Sequence, residues 1–394
     1  MISVADALSK LFALAAPLPA EEVSLVDGSG RVLAVPVAAR LTQPPFDASA
    51  MDGYAVIAAE VRPGATFRVI GTAQAGTAFA GEVGPGEAVR IFTGSPVPKG
   101  ATRIVLQEDV TREGDTVTIG DRVDTGPHIR PAGQDFAFGQ ELSAPRRLTP
   151  SDIALLAAMN IPRLPVTRRP EVAIIATGDE LVQPGETPGP DQIIASNSYG
   201  IAARLAAAGA VPRLLPIARD TVESLRFTFD LARGADLVIT IGGASVGDYD
   251  LVGDVARDLG MEQSFYKVAM RPGKPLMAGR MGPDHGGAMM IGLPGNPVSA
   301  MVCTEIFVVP VINKMLGLGA RPAPRETVRL DSDLAANGPR EHYMRAHAGP
   351  DSVRVFDRQD SALLTVLSQS NCMIVRPPND PARAVGDPVE IIRI

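Results

Sequence analysis

The residues best suited to chemistry in this chain lie between positions 177 and 299, where glycine-bearing turns alternate with charged side chains. The most informative turn is Gly242-Gly243-Ala244-Ser245-Val246-Gly247-Asp248-Tyr249-Asp250, which follows the apolar run 237–241 and precedes a helix-like segment, 251–259. Glycines let backbone N–H groups approach an anion closely, and a helix N-terminus adds partial positive charge. Asp248 and Asp250 share that turn, so it could also hold a metal ion or a phosphate–magnesium pair. Thr177-Gly178-Asp179-Glu180-Leu181 follows the apolar run 172–176 in the same way. Gly292-Leu293-Pro294-Gly295-Asn296-Pro297-Val298-Ser299 runs from a strand pattern into a helix pattern. Three such turns at one edge of one sheet would converge on a single crevice.

Charge is interleaved with these turns. Lys267, Arg271 and Lys274 fall within eight positions around a Pro-Gly turn, in a chain where only five of 37 basic residues are lysine. Cations there suit an oxyanion or phosphate. Asp179, Glu180, Asp220, Asp248 and Asp250 all fall in or near strand ends. A lone Asp in a turn is usually a cap. Carboxylates mixed with cations point instead to divalent-metal-assisted handling of phosphates. The chain has neither a G-x-x-x-x-G-K-[ST] loop nor a G-x-G-x-x-G turn between a first strand and helix. The four histidines show no metal-ligand spacing, and no nucleophile is paired with a base.

The elements that must position these residues alternate. Strand patterns at 172–176, 211–217, 237–241 and 289–293 are separated by helix patterns at 198–208, 221–233, 251–259 and 298–315. Fully apolar strands between helices predict a parallel sheet covered on both faces, with ligands at its carboxyl edge. Before it, residues 1–20 read as a helix with Ser3 as N-cap, and 150–159 as a second helix that packs with the first. Between the two, 50–142 has an all-β texture. Residues 45–55 carry neither a helix nor a strand pattern, although they mix Asp47, Asp52, Tyr54 and Gly53 in a way that fits either a linker or a site. Residues 320–394 return to short strands and predict a small β-barrel or sandwich. The expected units are 1–47 with 143–168 (composite, helical), 48–142 (β-rich insert), 169–318 (α/β) and 319–394 (β).

Bulk properties narrow the function classes. At 394 residues, more than one core is expected. A net charge of −7 argues against general nucleic-acid binding. No run approaches the roughly 18–20 apolar residues of a membrane span, and residues 1–15 lack the basic start of a signal peptide, so a cytoplasmic location is expected. Cys303 and Cys372 are too few for a disulfide framework or a cysteine zinc site and read as small buried hydrophobes.

Seven segments, in order, resemble the MoeA family of molybdenum insertases: 46–55, Thr93-Gly94, 129–135, 177–181, 242–250, 267–275 and 292–299. The resemblance implies a multidomain α/β plus β fold: a composite helical and β N-terminal region, a doubly wound molybdopterin-binding α/β domain and a C-terminal β-barrel. It implies a transferase that inserts molybdate into adenylylated molybdopterin with release of AMP, promoted by Mg2+ or Zn2+. The catalytic positions it implies are Asp52, Thr93, Asp135, Glu180, Asp220 and Asp250, of which Glu180, Asp220 and Asp250 would hold the metal. The substrate-binding positions are Gly242, Gly243, Ser245, Gly247, Lys267, Arg271, Lys274, Pro294, Gly295, Asn296, Pro297 and, in the C-terminal barrel, Arg345. A homodimer is implied, with molybdopterin adenylyltransferase and molybdoenzyme maturation proteins as partners, and with no nucleic acid or membrane. Two departures stand out. Arg271 occupies a position where the family often has lysine, and 130–135 carries fewer charges than is usual there. Three alternatives are a molybdopterin adenylyltransferase, whose fold resembles 169–318 alone, a non-enzymatic gephyrin-like scaffold, and an unrelated phosphosugar-binding α/β protein.

Overall fold

Six strands make the central sheet of this computed structural model, which describes residues 1–243 and 251–394. Ser245, Gly247, Asp248 and Asp250 therefore lie outside the described residues. The strand order is Val211–Leu214, Glu171–Ala176, Leu237–Ile241, Met289–Leu293, Met277–Arg280, Glu262–Tyr266. The first four run parallel and the last two antiparallel. Alternate side chains on a strand face opposite ways, and both faces here are apolar. Val172, Ile174, Leu237, Ile239 and Ile291 point into a core shared with helices Asn197–Ala208 and Pro297–Cys303. Ala173, Ile175, Val238 and Met290 point into a second core under Val222–Leu231 and Leu251–Asp258. The sheet is doubly wound, as expected. The antiparallel hairpin carries polar residues and no apolar alternation, which is why its pattern is not legible as strands.

The first helix, Val4–Leu14, is capped by Ser3, whose side chain accepts from the Asp6 N–H. Its buried stripe, Val4, Ala7, Leu8 and Leu11, packs into the α/β core and not on the second helix. Lys314 and Arg280 donate to the carbonyls of Phe12 and Leu14 near its end and fix that placement. The second helix, Pro150–Ala158, starts on a Thr149–Asp152 capping box and packs in a separate core with Leu33, Leu142, Leu148 and Leu164. The expected pairing of the two helices is thus replaced by two different cores.

Residues 297–315 form one apolar helical stretch interrupted by a π segment, Thr304–Val308, before Val309–Met315. Pro310 has no N–H to give the carbonyl one turn back, which favours the irregular turn at this place. This is the one described helix long and apolar enough to cross a membrane, and 83% of its most apolar window is buried inside the protein, as in a core helix. Within it Glu305 is buried and takes two hydrogen bonds from Arg204, at 2.6 and 2.9 Å.

The β-rich insert contains one sheet of six strands in the order Arg103–Leu106, Gly53–Val56, Glu87–Ile91, Thr66–Ala73, Thr116–Ile119, Val110–Glu113. Gly53–Val56 is a fully buried inner strand, so the unpatterned 45–55 segment ends in regular structure. The C-terminal strands Glu341–Ala348, Ser352–Val355, Glu326–Leu330, Pro388–Arg393 and Cys372–Arg376 close through pairing of the first with the last. That resolves the barrel-or-sandwich alternative as a five-stranded barrel. Met270–Arg271 adds to its edge beside Glu341–His342, which joins the barrel to the α/β core.

Removing one partner of a largely buried ion pair strands the other. Glu305→Ala is expected to lower unfolding stability by about 2–3 kcal/mol, measured as a shift in urea denaturation; a shift indistinguishable from wild type would contradict a structural role for the pair.

Candidate functional site

Parallel registry brings the three glycine-bearing turns together. Ala176 lies opposite Ile241, and Ile241 opposite Leu293, so all three strands end at one level. The first turn is tied to the second by Thr177 N–H donating to Ile241 O at 3.0 Å, and the second to the third by Gly242 N–H donating to Leu293 O at 3.1 Å. Gly242 and Gly243 adopt φ of +91° and +65°. A Cβ on Gly242 would lie 2.8 Å from Thr177 O, and one on Gly243 2.2 Å from a Val252 methyl. Only glycine fits that approach.

The turns wall a cavity of about 910 Å³. Gly178, Glu180, Asp220, Gly242, Gly243, Pro294, Gly295, Asn296 and Pro297 all line it, as do the start of the Asn197–Ala208 helix and Asp254. A strap from the C-terminal barrel completes the wall at Ala362. The strap is anchored by Asn296 Nδ2 donating to Ser361 Oγ at 3.2 Å and by Val298 N–H donating to Ser361 O at 3.0 Å.

One edge of the cavity is acidic. Glu180 folds back over Gly178, where a Cβ would meet its carboxylate at 2.3 Å. The Asp220 N–H donates to Asp179 Oδ1 at 3.3 Å. Desolvation at the packed rim, followed by the charges of Asp179 and Glu180, raises the Asp220 carboxyl above its ordinary value. Among the described residues no group of three or more His, Cys, Asp or Glu is arranged to hold a metal. The donors present are hard carboxylate oxygens, which suit an ion held by one or two carboxylates together with substrate phosphates.

The cations are placed differently from the expectation. Among the described residues, Pro275 reaches the cavity wall, whereas Lys267, Arg271 and Lys274 do not. Lys267, at φ +71°, lays its ammonium over the Tyr266 ring, 5.1 Å from the centroid. Arg271 sits on the strand that joins the barrel. Next to this seam lies Arg345, fully buried, with one nitrogen donating to Asp360 O at 3.2 Å and with Nε and Nη1 unpartnered. Burial first, and then Arg271, Arg345 and other arginines, depress His342 to about 4, so its ring is neutral at pH 7.

Asp52, Thr93 and Asp135 stand apart on the β-rich insert and its flank. Asp52 Oδ1 accepts from Thr93 N–H at 2.8 Å and Thr93 Oγ1 at 2.7 Å, which holds its carboxyl below the ordinary value. Arg90 backs this corner: it donates to Gly53 O at 2.9 Å and lies over the rings of Tyr54 and Phe92. Asp135 lines a second cavity of about 540 Å³ with Gln43, Phe46, Gly94 and Arg130. The two cavities share no wall residue.

Several contributors were not singled out from sequence: Arg219, Arg90, Asp254 and the strap residues Asp360, Ser361 and Ala362. Arg219 directly precedes Asp220, but in an arginine-rich chain that adjacency carries no signal. Ser361 of the strap lies 65 positions from Asn296 in the turn it covers, so nothing local announces it.

A glycine-walled crevice at the carboxyl edge of a doubly wound sheet, with carboxylates on one rim, defines an α/β protein of the kind that binds ligands at that edge, with added β domains. Models of the MoeA N-terminal region (domains I and II), a probable molybdopterin binding domain and the MoeA C-terminal region (domain IV) match residues 2–160, 173–314 and 327–394. The chain belongs to the MoeA family. It is 36% identical to a molybdopterin molybdenumtransferase of Nostoc sp. over all of this chain and 94% of that one. It is 33% identical to a molybdopterin molybdenumtransferase of Haemophilus influenzae, over 95% of this chain and 94% of that one. A molybdopterin biosynthesis MoeA protein from Pyrococcus horikoshii superposes with a TM-score of 0.83 at 28% identity, covering 100% of this chain and 99% of that one.

A carboxyl whose folded pKa is raised favours the folded state only while protonated, and that advantage is lost as pH rises through the folded value. Asp220→Asn is therefore expected to raise the melting midpoint at pH 7 and to leave it unchanged below about pH 3.9. A lower midpoint at pH 7 would contradict the crowded acidic rim.

Proposed function

We propose that this chain, a transferase of molybdenum-cofactor biosynthesis by its family, inserts molybdate into adenylylated molybdopterin and releases AMP. The observation that carries this reading is Arg345: a fully buried guanidinium whose Nε and Nη1 lack partners, next to the strap that walls the crevice. A fixed, desolvated fork of donors is suited to a tetrahedral oxyanion. Arg271 adds positive charge beside it, and Lys267 and Lys274 are read as substrate-binding cations although neither lines the crevice. The backbone N–H groups of Gly243, Gly295 and Asn296 are read as facing the pterin phosphates; Ser245 and Gly247, expected in the same role, lie outside the described residues.

Glu180 and Asp220, with Asp250, are read as the carboxylate edge that would hold a divalent cation. Their hard oxygens favour Mg2+ over Zn2+. When bound, the ion would offset the charge that builds on the phosphoanhydride as AMP leaves.

Asp52, Thr93 and Asp135 are read as acting on the crevice of a second copy in a homodimer. The cavity that Asp135 lines shares no wall with the first, and Phe46 and Met51 are exposed at 40% and 41%. Asp52 remains ionised there because Thr93 supplies both hydrogen bonds to one oxygen and leaves the other open. The division into 1–47 with 143–168, 48–142, 169–318 and 319–394 belongs to the same reading. So does a cytoplasmic location, which suits two free, buried cysteines.

Purified protein is expected to release AMP from adenylylated molybdopterin only when molybdate and a divalent cation are both present. Asp52→Ala and Lys274→Ala should each lower kcat/KM by about a hundredfold. Arg345→Lys keeps the charge but loses the fork, so it should raise the molybdate requirement. AMP release unchanged in Asp52→Ala and Lys274→Ala would overturn the site assignment.

A further inference from the structure

We infer that Arg219 is the positioning residue of the acidic rim, holding the 178–181 turn by its carbonyls so that Glu180 and Asp220 stay un-neutralised and aimed at one divalent cation. Arg219 Nη1 lies 3.0 Å from Asp179 O, 3.1 Å from Leu181 O and 3.5 Å from Gly178 O. The remaining carbonyl of the turn, Glu180 O, accepts from Ile193 N–H at 2.7 Å. All four carbonyls are thereby drawn to partners.

The base of Arg219 is itself fixed. Its N–H donates to Ser224 Oγ at 2.9 Å, at the start of the Val222–Leu231 helix. Gly178 N–H donates to Ala218 O at 3.1 Å, and Ala218 N–H to Ala176 O at 2.9 Å. The rim is therefore a small lattice in which one guanidinium joins two strand ends.

The position of the charge is unusual. Arg219 lies among Asp179, Glu180 and Asp220, yet among the described residues no ion pair joins it to any carboxylate. Its hydrogen bonds go to neutral carbonyls, so the carboxylates keep their lone pairs for another cation. A lysine has a single ammonium and cannot reproduce the planar fork.

This inference rests on reading Glu180 and Asp220 as a cation site, and the sign of one substitution separates positioning from simple charge. If Arg219 acted only as a nearby positive charge, removing it would tighten binding of a divalent cation through Coulomb's law. If it positions the rim, removing it weakens binding, by about tenfold for the loss of an outer-shell partner.

The test is calorimetric titration of Mn2+ into the full-length protein without substrate, for wild type, Arg219→Ala, Arg219→Gln, Arg219→Lys and Asp220→Asn. The expected result is weaker Mn2+ binding in Arg219→Ala and partial recovery in Arg219→Gln, whose amide still donates to carbonyls although the charge is gone. Arg219→Lys keeps the charge that repels the cation but loses the planar fork, so it should recover less than Arg219→Gln. Molybdate affinity, measured on the same preparations, should be unchanged and certifies folding. Mn2+ binding as tight as wild type or tighter in Arg219→Ala, with Asp220→Asn weakened, would overturn the role of Arg219 alone. Wild type that binds no Mn2+, or Asp220→Asn that binds as wild type does, would overturn the cation-site reading and this inference with it.

Discussion

The common level at which three parallel strands end is the constraint on which the rest of the molecule depends. Ala176, Ile241 and Leu293 are register partners across the sheet, so the turns that follow leave the sheet side by side. Their closeness is what demands glycine: at Gly242 a side chain would strike the backbone of the neighbouring turn. A shift of one residue in any of these strands would reverse its faces and misplace its turn. The apolar cores above and below the sheet hold that registry, since Ile239 and Val238 point into opposite cores from adjacent positions.

Charge is then distributed around this edge by elements far apart in sequence. The acidic rim comes from the first and second strand ends, while the buried arginine comes from the barrel. Keeping the two apart prevents them from neutralising each other, which leaves donors for an anion and carboxylates for a cation in one neighbourhood. The barrel is held in place by the Met270–Arg271 strand and by the contacts of Asn296 and Val298 to Ser361. A barrel that drifted would take with it both the wall at Ala362 and the arginine.

Much of the fold was legible because its strands are apolar throughout and its turns carry glycine. The α/β order, the first helix with its Ser3 cap, the β texture of 50–142 and the C-terminal strands all follow from periodicity. What was not legible was set by tertiary contacts. Val4, Leu8 and Leu11 form a stripe that fits either partner helix, and only the full structure selects the α/β core. The hairpin Glu262–Tyr266 and Met277–Arg280 lacks alternation because one strand lies at the edge and the other ends in arginine. Within the site, the turns and Glu180 and Asp220 were readable from position after a strand, whereas the Arg219 cradle and the strap at 360–362 were not. Lys267, Arg271 and Lys274 lie between two glycine turns in the chain, but none of the three lines the crevice, and Arg271 sits on the strand that joins the barrel.

The central claim is that the crevice and the buried arginine together hold the reacting oxyanion. The most direct measurement is anomalous diffraction at the molybdenum edge from crystals soaked with molybdate and AMP. The account predicts a molybdenum peak within hydrogen-bonding reach of Arg345 Nε and Nη1, on the crevice side of the strap, with AMP along the glycine turns. A molybdenum peak elsewhere, with both Arg345 nitrogens still unpartnered, would contradict it.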